Sequence, residues 1–219
     1  MADKFVQALA LDPRLAEAHY LLGLVRQQDR RTDAALQAFR STLKIDPRFA
    51  PAQARVCELD TVFARARETN YVRALSFCRR AIDLDPGDPE SHFHSGWIQS
   101  KLGNLAAAIQ EYATVLRLDP KSPRVRFKLA MAYIDSKDLD RSIPLLKDVV
   151  AAEPGNTNAR SQLGAALSKK GDCAAAVPWL ETAGESSQKH YLLAPHWLIR
   201  TRPPANSIKP SMDTAPLSP

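Results

Sequence analysis

The chain has 219 residues, a hydrophobic content of 45% and a formal net charge of +6, which together allow one domain with an ordinary apolar core. No apolar stretch approaches the roughly 18 residues of a membrane helix, and the first residues, Met1 to Lys4, contain no apolar signal segment. The absence of such segments predicts a cytoplasmic protein without membrane insertion. The positive charge includes no run of five like charges, so no nucleic-acid partner is expected.

Prolines recur along the chain at a nearly constant interval. Pro13, Pro47, Pro86, Pro120 and Pro154 are separated by 34, 39, 34 and 34 residues. A period of this size indicates an array of similar units. Each proline is expected to follow the end of a helix, because the residue before a proline is disfavoured in the helical conformation.

Residues 1–15 form a partial unit in this interpretation. They match the second helix of a unit without its first helix, so Phe5 and Ala8 lack a partner helix. Terminal repeats usually carry a polar cap. The pattern therefore indicates a missing N-terminal segment, which we favour and which could have carried a signal peptide, or an end that pairs with another surface.

The unit 16–49 shows the pattern of a complete repeat. One helix begins near residue 16, and a second carries Ala35, Phe39 and Thr42 at i, i+4, i+7 spacing before the turn at Pro47. An antiparallel helix pair with a short connection is predicted. Four further units are predicted, at 50–88, 89–122, 123–156 and 157–183.

Small residues lie at corresponding places of every unit. Two helix axes approach to roughly 8–10 Å only where side chains are small, and larger neighbours then fill the flanking grooves. The eighth place of each first helix is Gly23, Cys57, Gly96, Ala130 or Gly164. The facing second helices carry Ala35, Ala74, Ala108, Ser142 and Ala176, with Phe39, Cys78, Tyr112, Leu146 and Leu180 four residues later.

The unit 50–88 is five residues longer than the others, and the excess lies in its first helix. An extended helix from about Ala50 to Glu68 is predicted, projecting roughly one and a half turns beyond its neighbours. Tyr71 restores the register. The apolar stripe of this helix comprises Ala52, Val56, Leu59, Phe63 and Ala66.

The three cysteines are odd in number and fit no metal-binding or redox spacing. We therefore expect Cys57, Cys78 and Cys173 to be reduced, buried and small apolar residues. The alternative is a bridge between Cys57 and Cys78, which occupy facing places of their unit.

The array weakens after Ala183. Residues 184–194 resemble the start of a further first helix, since His190 to Ala194 echo His19 to Gly23. Residues 195–219 are rich in proline and poor in large apolar side chains, which predicts a disordered tail.

Residues 1–183 resemble a tetratricopeptide-repeat protein. The resemblance implies an all-α, right-handed superhelical solenoid of antiparallel helix pairs. The tryptophan that this family favours early in the first helix is replaced by His19, Gln53, His92, Arg126 or Arg160, which predicts looser packing there. The resemblance is carried by Leu22-Gly23, Ala35, Phe39 and Pro47 in the unit 16–49, and by Leu163-Gly164, Ala176, Leu180 and Ala183 in the unit 157–183.

No catalytic, cofactor or metal motif is present in the sequence. It lacks Gly-x-Ser-x-Gly, a phosphate-binding glycine loop and His-Glu-x-x-His. His92 and His94 are two residues apart and point to different helix faces. We expect no enzymatic activity, no cofactor and no metal site.

The resemblance further implies that the first helices line a concave groove that binds protein. Exposed aromatic side chains with a basic rim would suit a peptide with apolar side chains and an acidic end or flank. The alternative is that the aromatic side chains pack against the first helix of the neighbouring repeat. The predicted groove residues are Tyr20, Leu24, Phe93, His94, Trp97, Lys101, Arg124, Phe127, Lys128 and Met131.

Three functions are compatible with this pattern. The leading one is a non-catalytic scaffold or adaptor that binds a peptide segment. The others are the repeat arm of a larger enzyme and a module that self-associates through uncapped ends. The lysine–asparagine clamp and the asparagine ladder of two family subtypes are absent at the corresponding places.

Overall fold

The computed structural model describes residues 2–67 and 70–181, which form eleven α-helices and no strand. The predicted all-α solenoid is therefore confirmed for this part of the chain. The helices are α1 (Ala2–Leu11), α2 (Ala16–Gln28), α3 (Thr32–Ile45), α4 (Ala50–Arg67), α5 (Tyr71–Leu84), α6 (Pro89–Lys101), α7 (Leu105–Leu118), α8 (Pro123–Asp135), α9 (Leu139–Ala152), α10 (Thr157–Lys170) and α11 (Cys173–Glu181).

Consecutive helices pack as hairpins, and the hairpins stack. The most extensive contacts join α2 to α3, α4 to α5, α6 to α7, α8 to α9 and α10 to α11, and each hairpin contacts the next. Among the first helices of the hairpins, α4 also contacts α6, and α6 contacts α8. These first helices therefore form one continuous wall, as expected of a solenoid in which each repeat meets only its neighbours.

Glycines allow the close approach of the two helices of a hairpin. A Cβ atom built at Gly23 would lie 2.5 Å from Cε1 of Phe39, and one at Gly164 would lie 2.6 Å from Cγ of Leu180. Both distances are too short for real carbon contacts. The large residue of the second helix therefore occupies the space that the small residue leaves.

The hairpin of α4 and α5 joins its helices covalently instead. Cys57 and Cys78 form a disulfide with a Cα–Cα distance of 4.6 Å, and both residues are fully buried. The expectation that these two cysteines are reduced is wrong, and the alternative of a bridge is confirmed. The physical reason is that the short distance across the hairpin brings the two sulfur atoms together. Cys173 is a free, partly exposed thiol.

Polar side chains near the start of each first helix bind the preceding turn. They donate to the carbonyl oxygen of the turn proline six residues earlier, so these side chains anchor the helix rather than only loosening its packing. The pairs are His19 with Pro13, Gln53 with Pro47 and His92 with Pro86, each at 3.1 Å, and Arg126 with Pro120 and Arg160 with Pro154.

Helix α4 has 18 residues, whereas α2, α6 and α8 each have 13. Ala52, Val56 and Leu59 of its predicted apolar stripe are buried, but Ala66 is exposed and Ala64 is buried in its place. The buried stripe therefore ends two residues before the predicted position. Arg65 and Ala66, which follow Ala64 in α4, are exposed.

The N-terminal helix α1 packs on α2 without a buried residue of its own. Phe5 and Ala8 are partly buried, whereas Val6 and Leu11 are 50% and 90% exposed. None of the described helices is long and apolar enough to span a bilayer. The predicted segments 184–194 and 195–219 lie outside the described residues.

Candidate functional site

A cleft of about 490 Å³ lies on the wall of first helices, where α4, α6, α8 and α10 meet. Five of the residues predicted for the groove line this cleft: Trp97, Lys101, Phe127, Lys128 and Met131. Sequence reasoning did not predict the other lining residues, among them Arg65, Tyr71 and Asp135. Arg65 was missed because it lies in the five-residue extension of α4, for which other repeats offer no equivalent place.

The aromatic residues predicted as an exposed ridge are mostly covered. Phe93 is 5% exposed and Trp97 is 8% exposed, so the expectation of exposed anchors is wrong for both. Phe93 belongs to an apolar cluster with Val125 of α8, and Trp97 to one with Ala64 of α4. Each ring therefore shares an apolar cluster with the first helix of a neighbouring hairpin, in line with the alternative prediction.

Basic side chains lie over the aromatic rings of Trp97 and Phe93. The guanidinium carbon of Arg65 is 6.0 Å and the ammonium nitrogen of Lys101 is 5.8 Å from the ring centre of Trp97. The guanidinium carbon of Arg124 is 3.7 Å from the ring centre of Phe93. Cation–π attraction holds these charges at the wall, so its surface is cationic rather than aromatic.

Lys128 stands among these cations. Its partial burial lowers the pKa of its ammonium group, and the charges of Arg65, Lys101 and Arg124 lower that pKa further. Within the part of the chain that the structure describes, no carboxylate forms a salt bridge with Arg65, Lys101 or Lys128. Asp135, which is exposed, is the carboxylate that lines the same cleft.

A second cleft, of about 280 Å³, lies nearer the N-terminus and is lined by Tyr20 and several acidic residues. Some of these carboxylates have hydrogen-bonding partners within the fold. Glu58 accepts from Arg55 at 2.8 Å, while Asp88 accepts from two backbone N–H groups at the start of α6. The lining combines Arg55 with Glu58, Asp85, Asp88 and Glu90, so this part of the wall is acidic on balance.

His94 and Arg124 lie between the two clefts. Both approach Glu90, at 3.8 Å in each case. Burial lowers the pKa of His94, and the charge of Glu90 opposes this shift. Leu24 lines neither cleft, because it packs into the apolar cluster around Phe39.

No group of three or more His, Cys, Asp or Glu side chains within the described ranges could hold a metal ion. His92 has structural partners instead. Its Nδ1 lies 2.6 Å from a carboxylate oxygen of Glu111, and its Nε2 donates to the carbonyl of Pro86. The side chain thus connects α6 both to α7 and to the preceding turn.

Comparison with known proteins identifies the repeats. Models described as tetratricopeptide repeat match residues 2–48, 65–131, 101–143 and 133–194. Superkiller protein 3 of Schizosaccharomyces pombe is 28% identical over 116 residues, and DnaJ homolog subfamily C member 7 of Mus musculus is 23% identical over 146 residues. These matches cover 53% and 62% of the chain but only 8% and 30% of those proteins.

Solved structures share the fold. The structure described as YrrB, a TPR protein with an unusual peptide-binding site, aligns with a TM-score of 0.75 over 91% of this chain and 100% of that one, at 18% identity. MamA from Desulfovibrio magneticus RS-1 aligns with a TM-score of 0.68 over 80% of this chain and 96% of that one, at 16% identity. Repeat models across most of the sequence and a matching stack of helical hairpins agree, and the chain belongs to the tetratricopeptide-repeat family.

Proposed function

We propose that this chain is a non-catalytic scaffold that binds a segment of another protein on its wall of first helices. The family is one of protein-interaction scaffolds, and the fold is of that type. The observation that carries the finer proposal is the cleft of about 490 Å³, which is lined by Arg65, Lys101 and Lys128, and these form no salt bridge among the described residues. Clefts with a few convergent polar groups are the usual places for ligands.

The cleft also offers apolar contacts to an incoming segment. Phe127 and Met131 are partly buried in α8 and line the cleft beside Lys128. An extended peptide loses conformational entropy when it is ordered, so an affinity in the micromolar range, about −8 kcal/mol, is expected. The solved structure described as having an unusual peptide-binding site shares this fold, which supports a peptide as the ligand class.

The compartment is better judged from the cysteines than from the N-terminus. Disulfides persist in oxidising environments and are rare in the cytosol. The buried bridge between Cys57 and Cys78 therefore favours an oxidising compartment over the cytoplasm that the sequence predicted.

Site-specific photocrosslinking tests the proposed face. A photoreactive amino acid is placed at Met131 in the cleft or, as the control, at the exposed Lys147 of α9. Crosslinked peptides from a digested lysate are expected from position 131 and not from position 147. Equal crosslinking from both positions, or crosslinking from 147 alone, would contradict binding on this face.

Self-association is a second candidate because of α1. Val6 and Leu11 are exposed, and α1 forms one wall of a shallow cleft with α2 and α3. Val6→Glu with Leu11→Glu should leave a monomer if α1 is the interface. Light scattering over a concentration series would measure this, and a wild-type chain that stays monomeric throughout would remove the candidate.

A further inference from the structure

We propose that the cleft selects partner segments that carry acidic side chains next to an apolar one, through Arg65, Lys101, Arg124 and Lys128. These four residues are called the cationic cluster below. The inference rests on the proposed peptide-binding function and specifies the chemistry of the peptide. The first observation is that Arg65, Lys101 and Lys128, from α4, α6 and α8, line the same cleft, while Arg124 of α8 lies beside it over Phe93.

Among the described residues, Glu90 is the one carboxylate that forms a salt bridge with the cationic cluster, and the exposed Asp135 lines the same cleft. Arg124 approaches Glu90 at 3.8 Å, and both of these side chains are more than half exposed, so this pair is weak. No salt bridge among the described residues engages the other three members. Bringing like charges together in a concave surface opposes folding, and carboxylates from a ligand would relieve that repulsion.

The rings beneath the cationic cluster position its members in advance. Trp97 lies under both Arg65 and Lys101, and Phe93 lies under Arg124 at 3.7 Å. Because both rings are buried and fixed by packing, the cations above them lose less freedom when they bind a carboxylate. Arginine also presents a planar set of donors that suits a carboxylate.

The neighbouring surfaces set where the acidic part of the segment lies. Phe127 and Met131 adjoin the cationic cluster and would accept an apolar side chain. Toward the N-terminus, the second cleft has four carboxylates and one cation, Arg55, in its lining, so it would repel further acidic residues. An acidic segment is therefore expected over α6 and α8, not over α2.

The same arrangement favours an acidic peptide over a nucleic acid. A nucleic-acid site needs a basic stripe that follows a phosphate backbone. Here the second cleft, on the N-terminal side of the cationic cluster, is lined by Glu58, Asp85, Asp88 and Glu90. A phosphate chain extending in that direction would meet carboxylates.

Selection from a peptide pool tests the inference. The pool consists of twelve-residue peptides with Glu, Gln, Lys, Leu or Ser at random at each position. Both ends are capped, so no terminal carboxylate is present. The peptides are passed over the immobilised chain, and the retained peptides are sequenced. We expect Glu to be enriched over its uncharged isostere Gln at two or more positions, beside Leu, with retention falling as NaCl rises from about 0.05 to about 0.5 M.

Matched variants assign the selection to the cationic cluster. Lys101→Met with Lys128→Met keeps the aliphatic stems and should lower the affinity for a selected peptide at least tenfold, because hydrogen bonds to charged groups are lost. Lys147→Met on α9 should leave the affinity within about twofold of wild type, since Lys147 lies outside the cleft. Circular dichroism and melting curves confirm that both variants are folded.

The remaining outcomes of the selection distinguish the acidic specificity from the peptide-binding function. Retained peptides without a preference for Glu over Gln would overturn the acidic specificity and leave the peptide-binding function standing. No retention above beads without protein would overturn both. Preferential retention of a twelve-nucleotide single-stranded DNA added as a competitor would overturn the inference in favour of a nucleic acid.

Discussion

The hairpins α4/α5 and α6/α7 solve the same packing problem by different chemistry. In α6/α7 a Cβ at Gly96 would lie 3.0 Å from Cε1 of Tyr112, so a glycine makes room for a fully buried ring. In α4/α5 the corresponding places are Cys57 and Cys78, which are bonded to each other. Close approach is therefore the common requirement, and it is met by van der Waals packing in one hairpin and by a covalent bond in the other.

The two hairpins also differ in how they use carboxylates. Asp60 of α4 is 2% exposed and accepts two hydrogen bonds from Arg40 of α3, at 2.7 and 2.9 Å, with Arg73 of α5 at 3.6 Å. Glu111 of α7 instead pairs with His92 and with Ser95 of α6. The first carboxylate links three consecutive helices, whereas the second links the two helices of one hairpin.

Of the changes considered, a large side chain at Gly96 should have the largest effect on the free energy of unfolding. Gly96→Leu would force atoms into Tyr112 and Glu111, both on α7, and should destabilise the fold by about 3 kcal/mol. Urea denaturation followed by circular dichroism measures the loss. Gly155→Leu is the matched control, because nothing lies within 4 Å of a Cβ there, and an equal loss in both variants would contradict the packing argument.

Breaking the disulfide should have the next largest effect. The bridge closes a loop of 21 residues, and its reduction should cost about 2–3 kcal/mol of stability. Chemical denaturation with and without a reductant measures this difference. The double variant Cys57→Gly with Cys78→Phe copies the pair Gly23 and Phe39, so it should fold and be insensitive to reductant. A reductant effect that persists in this variant would contradict the assignment.

Removal of the buried carboxylate should have a smaller effect. Asp60→Asn loses the ion pairs with Arg40 and Arg73, whose side chains stay 36% and 53% exposed and can be hydrated, so about 1–2 kcal/mol is expected. Asp140→Asn is the control, since its carboxylate is 79% exposed and pairs with Lys170 on the surface. Melting temperatures compare the two variants, and a similar decrease in both would contradict the role given to Asp60.

Removal of the charge of Lys128 should have the smallest effect on stability, and it should stabilise the chain rather than destabilise it. The pKa of Lys128 is lowered by folding, so its protonated form destabilises the folded chain below that pKa, and stability rises as the pH passes it. Lys128→Met should therefore stabilise the chain near neutral pH by about 0.5 kcal/mol, with solvent screening considered. Calorimetry should show a melting temperature about 1–2 °C higher. A decrease would contradict the uncompensated charge of the cationic cluster.

The candidate site was only partly predictable. Lys101, Phe127, Lys128 and Met131 were placed in the groove by their positions in the repeat, and the structure puts all four in one cleft. The sequence left the exposure of Trp97 open between two alternatives, because its burial depends on how closely α4 approaches α6. Arg65 was not predictable either, since it reaches the cleft only through the extra length of α4.

The sequence by itself determined the array of helical hairpins and the places where the helices meet closely. These features depend on residues a few turns apart, so the spacing of small, large and proline residues was enough to define them. The tertiary structure decided the bond between Cys57 and Cys78, the covering of Phe93 and Trp97, and the cations above those rings. The physical reason is that side-chain exposure and charge proximity depend on distances between helices that the repeat pattern leaves undefined.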